Sequence, residues 1–129
     1  MTNQEIFNKV AKHLLKQNAR SVDPNDEICC YRGPDGLQCA VGCLIADEHY
    51  SPELEGLPVD TYRVRGALYA SGIVEVHPDS PLYTGDAAVL LAELQVIHDN
   101  DGPAYWRQAL RMTAESFGLD AAVLDEVAT

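Results

Sequence analysis

No regular helix can run through Gly33-Pro34-Asp35-Gly36. Proline lacks an amide hydrogen and presets its own φ, and glycine tolerates positive φ, so these four residues dictate a turn. The turn lies inside Cys29-Cys30-Tyr31-Arg32 through Cys39-Ala40-Val41-Gly42-Cys43-Leu44-Ile45, a stretch that holds all four cysteines. Ile28 to Arg32 has strand character, so a short β-hairpin closing at Leu37-Gln38-Cys39 is expected. From about Cys39 the pattern turns helical, with Ala40, Val41, Cys43, Leu44 and Ile45. Gly42 inside that helix costs about 1 kcal/mol relative to Ala. Its presence there implies that another backbone or ring lies against it.

Helical periodicity dominates the flanks. Thr2 and Glu5 form a capping box ahead of Ile6, Phe7, Val10, Ala11, Leu14 and Leu15. Lys9, Lys12, His13 and Lys16 fall on the opposite face, where late lysines suit the helix dipole. Val22 to Glu27 and Ser51 to Asp60 read as irregular, Thr61 to Ser71 as a helix ended by Gly72, and Ile73 to Val76 as a short strand. His77 to Pro81 cannot be regular. Thr84 or Asp86 caps the clearest helix, with Ala87, Leu90, Leu91, Leu94, Ile97 and His98 on one face. Asn100-Asp101-Gly102 stops it, and Pro103 starts the next, which carries Trp106, Ala109, Leu110, Thr113 and Phe117 up to Gly118. Asp120 caps a last short helix, with Leu119 and Leu124 as a hydrophobic staple. The expectation is a single compact domain over 1–129, mainly α with about five helices and one short β-hairpin. Phe7, Leu14, Cys39, Val41, Leu44, Leu90, Leu94, Ile97, Trp106 and Leu110 are its expected core.

With 47% hydrophobic residues a normal core is available. Twenty acidic residues stand against nine basic ones, for a net charge of -11. Such a field repels nucleic acid and anionic membranes and favours cationic partners. The N-terminus lacks the basic start and apolar stretch of a signal peptide, and a cytoplasmic location with reduced thiols is expected.

Two blocks carry a resemblance. Tyr31-Arg32-Gly33-Pro34-Asp35-Gly36-Leu37 with Cys39-Ala40-Val41-Gly42-Cys43-Leu44-Ile45 is the first. Leu94-Gln95, Ile97-His98-Asp99, Trp106, Ala114 and Gly118-Leu119 make the second. Together they resemble a family of small proteins encoded by bacteria and their phages. More remotely, the first is similar to bacterial helical domains with a Gly-x-x-Cys-x-x-Gly-Ala-Leu turn, in which Ala stands at the place of Cys43. The resemblance implies a helical fold and a bacterial or mobile-element origin, and it transfers no catalytic residue.

The chemistry must come from the residues themselves. Cys39 and Cys43, four apart on a helix, could join Cys30 and His49 as metal ligands, but vicinal Cys29 and Cys30 should point to opposite faces of a strand. A zinc site therefore competes with cysteines that serve as small buried hydrophobes, and no cofactor is expected. A nucleophilic Cys39 with His98 and Asp99 is the one thiol constellation available. Neighbouring helical residues diverge by about 100°, however, so Asp99 should orient His98 poorly. His98 to Gly102 fails as a calcium loop, because the first and twelfth positions are Ile97 and Gln108. Trp106 to Val127 fails as a DNA-reading helix pair, since its second helix carries Asp120, Asp125 and Glu126.

Recognition is what is left. Tyr31, Arg32, Tyr62, Arg63 and Arg65 form the expected contact set, because tyrosine and arginine dominate binding hot spots. The leading expectation is a non-enzymatic binding protein of phage or mobile-element type, acting on a host protein through an acidic surface as an anti-defence inhibitor does. A protein sequestering a small ligand or nucleotide between two protomers of a homodimer is the first alternative. A thiol- or zinc-dependent enzyme around Cys39 is the second. Direct nucleic-acid and membrane contacts are not expected.

Overall fold

The structure, a computed structural model, describes residues 1–75, 77–78 and 86–127. Among these, five α-helices run in the order α1 (Asn3–Gln17), α2 (Tyr62–Ala70), α3 (Asp86–Asn100), α4 (Trp106–Ser116) and α5 (Val123–Glu126). α1 is the hub. It packs against α3, α4, α5 and the turn at Gly42–Leu44, while α4 also packs on α3 and α5. The periodic residues read from the sequence explain this. Ile6, Phe7, Val10, Ala11, Leu14 and Leu15 are all buried, as are Leu90, Leu94, Ile97, Trp106 and Leu110 from α3 and α4. No helix among the described residues is long and apolar enough to cross a membrane.

The helix ends follow their local chemistry. Thr2 accepts from the Glu5 amide and Glu5 accepts from the Thr2 amide, completing the capping box. α2 closes with Gly72 at φ 77°, where the Gly72 amide donates to Tyr69 and the Ile73 amide to Leu68. α4 closes the same way at Gly118, φ 65°, with Leu119 donating to Ala114. Asp120 accepts from the Ala122 amide ahead of α5. Within α2, a Cβ added at Gly66 would meet nothing within 4 Å. Gly66→Ala is therefore expected to stabilise the fold by about 0.5–1 kcal/mol, read as a raised denaturation midpoint.

The expected β-hairpin does not form. Among the described residues there is no strand, only isolated antiparallel bridges between Val22 and Cys29 and between Arg32 and Gln38. The turn is present, with Asp35 and Gly36 at φ 58° and 78°, but its arms spend their amides elsewhere. Tyr31 and Arg32 donate to the two oxygens of the Glu55 carboxylate at 2.8 and 3.0 Å. Gln38 donates to the Gln17 side chain at 2.9 Å, and Cys30 donates to the Ser21 carbonyl at 2.8 Å. The Glu55 and Gln17 side chains and the Ser21 carbonyl have taken up these amides, and the Gly33 amide donates across the turn, to Leu37 at 2.8 Å.

The helix expected from Cys39 is likewise only a tight turn followed by a 3-10 turn at Gly42–Leu44. The reason sits at Gly42, whose added Cβ would lie 2.0 Å from the Tyr31 carbonyl oxygen. The crossing backbone explains the glycine and leaves no room for a full helical cylinder. Ile73 and Val74 are buried without forming the expected strand. Val76, Asp79 to Pro81 and Thr84 lie outside the described residues, and α3 starts at Asp86.

Candidate functional site: a carboxylate-centred network at the edge of a cleft

α3 ends by bringing Gln95, His98 and Asp99 against the arm that carries Cys29. His98 is wholly buried and stacks on Trp106, ring centroids 5.8 Å apart. Its Nε2 accepts the Ser21 amide at 2.9 Å, so its proton sits on Nδ1. Nδ1–H donates to Asp99 Oδ1 at 2.8 Å. Adjacent side chains do meet here, contrary to the sequence expectation. Nδ1 lies on the near side of the ring, and the short Asp99 side chain reaches it from the last turn of α3.

Asp99 is the centre of the network. Besides His98 it accepts from Gln95 Nε2 at 2.8 Å, and the Cys29 sulfur lies within 4.8 Å of it. Burial alone would raise the Asp99 pKa; the donated bonds from His98 and Gln95, with the Cys29 thiol nearby, outweigh it and hold the carboxyl below its usual range. Gln95 turns its other end to the Val41 amide at 3.0 Å, tying α3 to the central turn. A depressed folded-state pKa contributes stability that is present above the unfolded value, about 3.9, and is lost as pH falls through the folded value. The stability gap between wild type and Asp99→Asn is therefore expected to stay constant from about pH 7 to 5 and to shrink below about pH 4. Denaturant titrations across that range check it.

The thiols are held in their protonated form. Burial, then the nearby Asp99 carboxylate, push Cys29 up to about 11. Burial pushes Cys39 and Cys43 up to about 12. Because thiolate is the reactive form, Cys29 is expected to alkylate roughly a hundredfold more slowly than an ordinary thiol near pH 8. Peptide mapping after a timed iodoacetamide pulse checks this.

The structure does not gather Cys39 with His98 and Asp99. The buried Cys39 sulfur accepts the Gly42 amide at 3.3 Å, and the thiol beside the pair is Cys29. The expected metal set is not gathered either. Cys30 donates to the Ile28 carbonyl, Cys43 to the Ala40 carbonyl, and His49 is exposed in the turn Asp47–His49. Among the described residues, the ligand-type atoms that come together are those of Cys29, His98 and Asp99, all within 4.8 Å. They fit a cation poorly. A neutral imidazole binding metal through Nδ1 would carry its proton on Nε2, where it would collide with the Ser21 N–H.

The expected contact residues are scattered. Tyr31 is buried, and its hydroxyl donates to the Leu57 carbonyl. Arg32 lies over the Tyr50 ring, 4.8 Å from its centroid, and donates to Asp47 and to the Ile45 carbonyl, both at 2.6 Å. Tyr62 and Arg63 are exposed on α2, where Arg63 pairs with Glu53. Arg65 lines the same cleft as Tyr31.

That cleft has a volume of about 660 Å³. Leu57, Val59, Leu91 and Val96 supply apolar wall, and Cys29, Asp60 and Asp99 supply polar edge. Sequence reasoning missed Cys29, Ser21, Gln95 and Glu55 as the residues that organise it. The legible signal was Gln95 within Leu94-Gln95-x-Ile97-His98-Asp99, a polar residue one helical turn before Asp99. Comparison with protein-family models, with curated proteins and with solved structures finds no match to this chain.

Proposed function

We propose that the chain is a non-enzymatic binding protein that engages another protein through its acidic surface. The observation carrying this reading is the order of the hydrogen bonds at the cleft edge. Catalysis by a thiol needs a base able to take its proton and an acid–base nitrogen free to pass it on. Here the carboxylate sits in the middle, the thiol is held protonated, and the far nitrogen of His98 is committed to the Ser21 amide. Each group ends on protein. The network fixes the shape of a cleft wall and does not supply a reaction.

The net charge of -11 favours a cationic partner and fast, salt-sensitive association. A phage or mobile-element setting, with inhibition of a host defence protein, is what the sequence resemblance adds to this reading. The cleft volume also falls in the range of small-molecule sites, and sequestering such a ligand is the second reading.

Native mass spectrometry of the chain purified gently at low salt tests the proposal. A complex with a second, different protein that dissociates as salt rises is the expected result. A retained metal or small molecule with no protein partner would contradict it.

A further inference from the structure

The apolar face beside Asp99 has a definite form. Ala88, Ala92 and Val96 follow one another at four-residue intervals along α3 and line the cleft. Val96 is 50% exposed, and Ile28 across the cleft is 55% exposed. Exposed aliphatic residues scattered singly carry no message, but these border one groove.

The carboxylates of Asp60 and Asp99 line the groove, and in the chain the exposed Asp26 and Glu27 immediately precede Ile28. Against them stand Arg65 on the lining and Arg20, whose guanidinium donates to the Asp99 carbonyl. Asp99 is already oriented by its donors, and 36% of its side chain is still exposed. A carboxylate has room for about four hydrogen bonds, so an incoming cation finds an acceptor that needs no reorganisation.

Resting on the binding reading above, we propose that the groove between α3 and the Ile28–Cys30 arm seats a basic amphipathic segment of the partner protein. Its aliphatic side chains lie on Val96 and Ile28, and a Lys or Arg side chain reaches Asp99. Helix-in-groove recognition has this layout, with apolar anchors at one-turn spacing and charges at the rim.

The probe is a synthetic peptide of about 18 residues, long enough for several helical turns, with Leu on one face and Lys and Arg on the other. A second peptide replaces every Lys and Arg by Glu. Each is titrated into the full-length chain and followed by amide chemical shifts. The basic peptide is expected to move signals of the Ile28–Cys30 arm, Asp60 and α3 from Ala88 onward. Its affinity should fall at least about tenfold on Val96→Lys, and again between about 50 and 300 mM salt. Val96→Lys should melt with the wild type, because that side chain is half in solvent.

Equal binding of the acidic peptide, shifts mapping to another face, or no shifts at all overturn the proposal. Concentration-dependent shifts of the same amides without peptide, with contacts to Lys9, Lys12 or Lys16, would assign the groove to a second copy and also overturn it. A native complex that survives Val96→Lys removes this seat while leaving the broader binding reading standing. Absence of any native complex removes both.

Discussion

Trp106→Ala is expected to lower the unfolding free energy by about 3–5 kcal/mol, enough to unfold much of a domain of ordinary stability. Trp106 is wholly buried where α3 and α4 meet, so truncation leaves the largest cavity a single core change can make. It also removes polar contacts. The indole N–H donates to the Ile97 carbonyl at 3.1 Å and to the Asp101 carbonyl at 2.9 Å, closing the end of α3. Its ring is the stacking partner of His98, so the Ser21–His98–Asp99 chain loses its support as well. Trp106→Phe keeps most of the volume and is expected to recover more than half of the loss. Guanidinium titrations of the variants, followed by circular dichroism, give the comparison. A Trp106→Ala protein within about 1 kcal/mol of wild type would mean that the α3–α4 contact is not the core.

Gly42→Ala is expected to cost about 3 kcal/mol or more, although it deletes nothing. The new methyl carbon would sit 2.0 Å from the Tyr31 carbonyl oxygen and 2.7 Å from its carbon. Those are backbone atoms, and they cannot step aside cheaply. The Tyr31 amide is bonded to Glu55, and its hydroxyl is bonded to Leu57. The sign of the effect is the test. At an open helical site the same exchange stabilises, as expected for Gly66→Ala, because alanine lowers the entropy of the unfolded chain. Gly42→Ala matching or exceeding wild-type stability would show that the Tyr31 backbone does not cross there.

Elements whose formation depends on local pattern were legible in the sequence. The Thr2–Glu5 box, the three-four spacing of Ile6 to Leu15, and the glycines at 72 and 118 each act within a few residues, and all appear in the fold. Gly42 was legible as the mark of a close backbone. The hairpin failed because its outcome depends on distant side chains. Glu55 and Gln17 capture the amides of Tyr31, Arg32 and Gln38, and no local signal in residues 28–39 announces that competition. The thiol beside His98 and Asp99 failed for the same reason. Alternation along a strand would send one of Cys29 and Cys30 outward, but without a strand it does not decide which thiol meets Asp99. What Ser21 does to His98 spans 77 positions and could be read only from the folded chain.

On the proposed reading the cleft acts by contact, and the Cys29, His98 and Asp99 cluster shapes it without performing chemistry. Retention of the native complex by Cys29→Ser and by Val96→Lys, measured side by side, tests it most directly. The serine variant keeps a small hydroxyl donor beside Asp99, and it is expected to hold the partner as wild type does. Val96→Lys is expected to lose it by at least about tenfold in affinity. The reverse pattern, with Cys29→Ser inactive and Val96→Lys unaffected, would contradict the account and return the thiol to the centre of the function.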